Sequence, residues 1–111
     1  MEKKLKALLE EYPSINSKIF TPTRLLILNL LKFHKDGLQF REFQESIQIS
    51  DGNLYSNLEI LKSLSLIESE KIDIDNKSIE LYTISAEGLT KLNKTNKWMN
   101  KLQDFGDQNE K

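Results

Sequence analysis

The sequence predicts a mainly α domain that carries one small antiparallel β-hairpin. Three observations predict it. Apolar residues recur at helical spacing in five stretches of the chain. The link Gln48-Ile49-Ser50 between two of those stretches is only three residues long. Residues 70–75 alternate Ile72 and Ile74 with charged residues, residues 78–84 are rich in Ile, Leu, Tyr and Thr, and between them lies the polar turn Asp75-Asn76-Lys77-Ser78.

Each element follows from its residues. Residues 2–12 place Leu5, Leu8, Leu9 and Tyr12 on one stripe with Lys on the other side, and Pro13 ends that helix. Thr21-Pro22 opens a second helix, with a cap oxygen followed by a proline at the first helical position. That helix is apolar nearly all round and runs to about Lys35, before Asp36-Gly37. Leu38-Gln39-Phe40 suits a short strand leading into a third helix, about residues 41–48, in which Phe40, Phe43 and Ile47 repeat at helical spacing. Ser50 caps a fourth helix over about residues 51–64, where Leu54, Leu58, Leu61 and Leu64 form an inward stripe. Strands are expected over 70–75 and 78–84. Ser85 caps a last helix to about Leu102, and the polar end, residues 106–111, is expected to fray.

Composition bounds the function. The chain has 111 residues, enough for one domain (1–111) and too few for two separate cores. With 38% hydrophobic and 30% charged residues it is globular rather than disordered. It has no cysteine, so disulfides, thiolate metal sites and cysteine nucleophiles are excluded together. Its single histidine, His34, lacks a second His or Cys for a metal, and Gly37, Gly52, Gly88 and Gly106 have neither dinucleotide nor P-loop spacing. The expectation is a non-enzymatic protein without cofactor or metal. Its first residues lack a signal peptide's apolar run, and its longest apolar stretch, residues 25–33, is too short for a membrane. An intracellular protein is expected.

The element order is that of a winged helix-turn-helix, with a core over residues 19–84. A short turn makes the helices at 41–48 and 51–64 cross, so the second offers its N-terminal half outward. Opposite the Leu stripe lie Gly52, Ser56, Glu59 and Ser63, flanked by Asn53 and Tyr55. Small and amide side chains there suit base edges in a major groove, and Gly52 admits close backbone approach. The candidate DNA-binding residues are therefore Gly52, Asn53, Tyr55 and Ser56, with Arg41, Lys62, Lys71 and Lys77 as candidate phosphate contacts. Arg24 and Asn57 are read as structural hydrogen-bonding residues.

The segments Thr21-Pro22-Thr23-Arg24-Leu25-Leu26-Ile27-Leu28, Phe40-Arg41-Glu42-Phe43, Ser50-Asp51-Gly52-Asn53-Leu54-Tyr55-Ser56-Asn57-Leu58 and Tyr82-Thr83-Ile84-Ser85-Ala86-Glu87-Gly88 resemble the small winged-helix transcriptional regulators related to the MarR and ArsR families. The resemblance covers about residues 19–102. It implies a cytoplasmic, homodimeric, sequence-specific DNA-binding regulator. Its recognition helix would be 51–64 and its wing 70–84, on the flanking backbone. It also implies dimerisation through the terminal helices, 2–12 and 85–103, where Leu5, Leu8, Leu9, Leu92, Met99 and Leu102 are the candidate residues. Leu92, Met99 and Leu102 keep the seven- and three-residue spacing of a helix-pairing seam.

Charge supports a rival. Residues 1–35 carry seven Lys/Arg against three acids, residues 36–84 four against ten, and residues 85–111 five against four. The candidate nucleic-acid surface thus falls in the acidic segment, whereas phosphate neutralisation supplies most non-specific DNA affinity. Lys3, Lys4, Lys6 and Lys18 add cations where the N-terminal segment lies near DNA. The rival is a winged-helix module whose acidic wing binds protein, with little DNA affinity. The partners expected are double-stranded DNA and a second copy. An unknown protein partner or a small-molecule effector stays open, and no membrane is expected.

Overall fold

In the computed structural model, which describes residues 2–15 and 17–108, local capping chemistry starts most helices where the sequence places a polar oxygen. Helix α1 (Lys3–Glu11) begins at Glu2, whose carboxylate accepts from the Lys4 and Leu5 amides. Short 3₁₀ turns at Tyr12–Ser14 and Ser17–Ile19, which the periodicity does not signal, lead into α2 (Pro22–Phe33). Thr21 Oγ1 accepts from the Arg24 amide at 3.1 Å and caps α2 as expected. The helix stops at Phe33 rather than Lys35, because the chain turns at His34 and Gly37. Gly37 has φ +99°, and a Cβ there would meet Leu81 Cγ and the Tyr82 carbonyl at 2.8 Å.

Strand β1 (Leu38–Gln39) precedes α3 (Phe40–Ser46) and α4 (Asp51–Ser63). Ser50 Oγ accepts from the Asn53 amide at 3.2 Å, the cap read from the sequence. Gln44 Nε2 donates to Asp51 Oδ1 at 2.7 Å and ties α3 to the first turn of α4. Strands β2 (Ile67–Ile74) and β3 (Lys77–Ile84) then form the wing. It starts earlier than the expected 70, because Leu66 and Ile67 are buried and draw the strand into the core. Asp75 and Asn76 both have positive φ, 52° and 63°, so the hairpin closes on a two-residue turn. The sheet has three antiparallel strands in the order β1-β3-β2, with Leu38 opposite Tyr82 and Ile67 opposite Ile84.

The main core joins α2, α3, α4, the sheet and α5 through residues that include Ile27, Leu28, Leu31, Phe43, Leu54, Leu58, Leu61, Leu66 and Leu92. Burying one such side chain stabilises by roughly 1.5–3 kcal/mol, so the Leu54/Leu58/Leu61 stripe fixes the rotation of α4.

Helix α5 (Ala86–Gln108) runs past Leu102 and includes residues 106–108, which were expected to fray; residues 109–111 lie outside the described residues. The extension follows from packing: α1 lies along α5, and a second small core of Leu8, Ile15 and Trp98 receives Met99 and Phe105. Trp98 Nε1 donates to the Leu8 carbonyl at 3.0 Å, and Lys101 pairs with Glu11 at 3.0 Å. At 1.5 Å per residue, the 23 residues of α5 span roughly 35 Å. The α1–α5 arm therefore stretches the molecule to 61 × 26 × 21 Å.

This arrangement corrects two dimerisation expectations. Leu8 and Leu92 are 3% and 0% exposed within the chain itself, so both hold the fold rather than face a partner. Helical spacing marks a stripe as apolar but does not say which neighbour covers it. Leu9 and Leu102 are exposed, and Leu5 and Met99 are half-buried.

Candidate nucleic-acid interface

The candidate interface is built on α4. With Leu54, Leu58 and Leu61 turned into the core, Asp51, Gly52, Asn53, Tyr55 and Ser56 are all exposed on its N-terminal half. A Cβ built at Gly52 would meet nothing within 4 Å, so packing does not require glycine there. Recognition helices of this architecture contact base edges with their N-terminal residues, and the four candidate readers Gly52, Asn53, Tyr55 and Ser56 occupy that half.

Behind them runs a hydrogen-bonded chain that sequence reading did not connect. Arg24, on α2, donates from its guanidinium to the Lys18 carbonyl and, through Nε, to Asn57 Oδ1 at 2.9 Å. Asn57 Nδ2 donates in turn to the Asn53 carbonyl at 2.9 Å and to Asn53 Oδ1 at 2.6 Å. Arg24 and Asn57 are thus structural hydrogen-bonding residues, as expected. Their pairing spans 33 positions, which no local pattern reveals.

A second polar seam joins α4 to the wing. Lys62 Nζ lies 3.5 Å from Glu59 and 3.7 Å from Glu80, and Ser69 Oγ donates to Glu80 at 2.8 Å. The Tyr55 hydroxyl donates to Glu59, and this bond together with the Glu59 charge raises its pKa. Burial raises the Tyr82 phenol to about 12, helped by the neighbouring Glu80 and Glu59 charges. The seam gives Glu59, read from the sequence only as lying opposite the Leu stripe, its partners in Tyr55 and Lys62.

The expected phosphate contacts are not gathered on one surface. Lys62 is half-buried between two carboxylates. Arg41 is exposed and pairs with Glu45 at 3.3 Å across one helical turn, a contact weak enough to exchange for phosphate. Lys71 stands opposite Glu80, whereas Lys77 stands opposite Ile74. Strand alternation puts Lys71 on the wing face shared with Tyr82 and Lys77 on the other face. Neither wing lysine has an ion pair among the described residues. Lys4 Nζ donates to Gln108 Oε1 at 3.0 Å, which places it at the far end of α5 from the wing. Lys18, by contrast, contributes its carbonyl to the Arg24 contact behind α4.

His34 is exposed and packs edge-on against Phe33 at 5.0 Å between ring centres. Among the described residues no group of three or more His, Cys, Asp or Glu side chains is placed to hold a metal ion. No helix among them is long and apolar enough to cross a membrane.

The family described as winged helix DNA-binding domain matches residues 23–103. No curated protein matches the chain by sequence. Among solved structures, the chain is similar to a transcriptional regulator homologue from Pyrococcus horikoshii OT3, at 19% identity and a TM-score of 0.69, over 99% of this chain and 100% of that one. It is similar to the YusO protein of Bacillus subtilis at 22% identity and a TM-score of 0.69, over 92% and 69% of the two chains. A third similar structure is a point mutant of Lactococcus lactis ZitR in complex with DNA, at 20% identity and a TM-score of 0.57, over 80% of this chain and 62% of that one.

Proposed function

The chain belongs to the winged helix DNA-binding domain family, and from that premise we propose that it is a sequence-specific transcriptional regulator that acts on DNA as a homodimer in the cytoplasm. One observation carries the reading. The N-terminal half of α4 exposes Gly52, Asn53, Tyr55 and Ser56 together, while its opposite face is locked into the core. Such a helix enters a major groove without disturbing the fold. The wing would then lie on the flanking backbone, with Lys71 and Lys77 as its exposed cations and Arg41 exposed on α3.

The dimer reading rests on the arm. Tyr12, Phe20 and Leu102 are 59%, 40% and 43% exposed, and with Ile15, Trp98 and Met99 they line an apolar groove of about 470 Å³. A second copy seated there would bury that surface and set two α4 helices toward half-sites about one helical turn apart. Two half-sites compensate for few phosphate contacts in each.

The test is specific binding by Asn53→Ala and Ser56→Ala, measured on a duplex selected by the parent. Both should bind it more weakly while keeping the parent's circular dichroism and melting temperature. Parent-like binding by both variants would remove α4 as the recognition helix. The acidic wing favours a second reading, in which exposed Glu68, Glu70, Asp73 and Asp75 meet a basic protein. Absence of any duplex bound by the parent at physiological salt would move the assignment there.

A further inference from the structure

We propose that Arg24 and Asn57 set the hydrogen-bonding polarity of Asn53, so that this position of α4 offers donors and reads acceptor edges of bases. The inference rests on α4 being the recognition helix. An asparagine is normally ambidextrous, since its carbonyl and amide ends can exchange by rotation. Here the exchange is blocked from behind. Arginine only donates, so the Arg24 Nε contact at 2.9 Å requires Asn57 to present its carbonyl oxygen to α2. Asn57 Nδ2 must then face Asn53, where it reaches the main-chain carbonyl at 2.9 Å and the side-chain carbonyl at 2.6 Å. Asn53 can meet an incoming N–H only with oxygen. Its Nδ2, with two protons, has no partner among the described residues, and the residue is exposed. A guanidinium on one helix thereby orients an amide on another, although Arg24 contacts no base itself.

The consequence is chemical. In the major groove guanine offers two acceptors, N7 and O6, and thymine offers O4, whereas cytosine offers only an amino donor. Adenine is usually read by an asparagine that uses both ends, and the carbonyl end of Asn53 is already engaged. Asn53 should therefore favour guanine, with thymine second, at the base it faces. Asn57 and Arg24 are positioning residues in this scheme, and their effect is on which base is chosen.

Asn57→Asp inverts the polarity with little change in volume. An aspartate keeps the bond to Arg24 but loses the bond to the Asn53 main-chain carbonyl and offers only oxygen to the Asn53 side chain, which must turn its amide inward and its carbonyl toward the groove. Asn57→Ala removes the clamp without adding charge. The experiment selects duplexes from a randomised pool with the parent, Asn57→Asp, Asn57→Ala and Asn53→Ala, then replaces guanine by 7-deazaguanine at the position that Asn53→Ala relaxes. Circular dichroism checks that each variant is folded.

The parent should prefer guanine there by about tenfold, a preference that Asn53→Ala erases and that 7-deazaguanine, which loses N7 but keeps O6, reduces. Asn57→Asp should shift the preference at that one position to cytosine or adenine, and Asn57→Ala should flatten it. Unchanged guanine preference in both folded Asn57 variants would overturn the relay and leave α4 as the reader. An Asn53→Ala profile identical to the parent's would overturn it too, since Asn53 would then touch phosphate or nothing. A parent that selects no sequence at all would overturn the reading of α4 together with this inference. If Asn57→Asp fails to fold, Asn57→Ala alone decides: retained preference refutes the relay, and flattening supports it.

Discussion

Substitution of Gly88 by alanine tests how the wing is attached to the arm. Gly88 is buried in the first turn of α5, where an added Cβ would lie 2.0 Å from the Leu66 carbonyl oxygen, 2.9 Å from its carbon and 3.1 Å from Ile84 Cγ1. The closest contacted atoms are backbone, so no side chain can swing aside to clear them. Relief requires α5 to withdraw from the turn before β2 by roughly an ångström, to restore ordinary van der Waals separation. That turn is held by the Ser85 amide donating to the Leu66 carbonyl at 3.0 Å and by Ser85 Oγ donating to the Ser65 carbonyl at 2.7 Å. Losing both bonds costs about 1–3 kcal/mol, at about 0.5–1.5 each. The displaced packing adds about 1–3 kcal/mol, and the better helix propensity of alanine returns about 1 kcal/mol. Gly88→Ala should therefore destabilise by about 1–5 kcal/mol in urea denaturation followed by circular dichroism. Gly52→Ala and Gly106→Ala are controls inside helices of the same protein, because a Cβ at either meets nothing within 4 Å. Both should be neutral or stabilising by up to about 1 kcal/mol. A Gly88→Ala protein as stable as the parent would refute the close approach of α5 to Leu66.

Three further outcomes follow from other contacts. Trp98→Phe removes the bond from Nε1 to the Leu8 carbonyl and part of the ring that closes the second core; it should cost about 1–3 kcal/mol and speed proteolytic cleavage near residues 12–20, with unchanged cleavage counting against that anchoring. The Tyr82 phenol is raised to about 12 chiefly by burial, against an unfolded value near 10.0, so the folded state holds its proton to higher pH than the unfolded state. Its contribution is complete below about pH 10 and lost as pH rises through about 12. Tyr82→Phe should flatten the fall in urea stability over that window, and an unaltered slope would contradict it. Leu102→Glu places a charge at the exposed groove and should turn the proposed dimer into a monomer by sedimentation with unchanged circular dichroism, whereas a persistent dimer would move the interface elsewhere.

Much of the fold was legible because its signals are local. Thr21, Ser50 and Ser85 each cap the helix their position predicts, since a cap needs only a polar oxygen and the next few amides. The inward stripe of α4 was legible for the same reason, and with it the exposed set of candidate readers. What depends on distant partners was not. Periodicity marked Leu8 and Leu92 as apolar, but only the folded chain shows α5 covering one and the core enclosing the other. The end of α5 was hidden because Gly106 and its polar neighbours weaken helix propensity, while the packing of Phe105 beside Trp98 outweighs them. The cations read alike in sequence. In the fold Lys62 is held between Glu59 and Glu80, and Lys71 and Lys77 part to opposite faces of the wing.

The acidic segment and the dispersed cations make DNA affinity the central question, and its salt dependence answers it most directly. Fluorescence anisotropy on a labelled duplex library, from about 50 to about 200 mM salt, gives affinity and its slope in one series. A DNA-reading α4 should give saturable binding at about 150 mM with a few sequences enriched, and a shallow slope that reflects few neutralised phosphates. Binding that is absent, or that vanishes by about 100 mM without sequence enrichment, would contradict a DNA-reading α4.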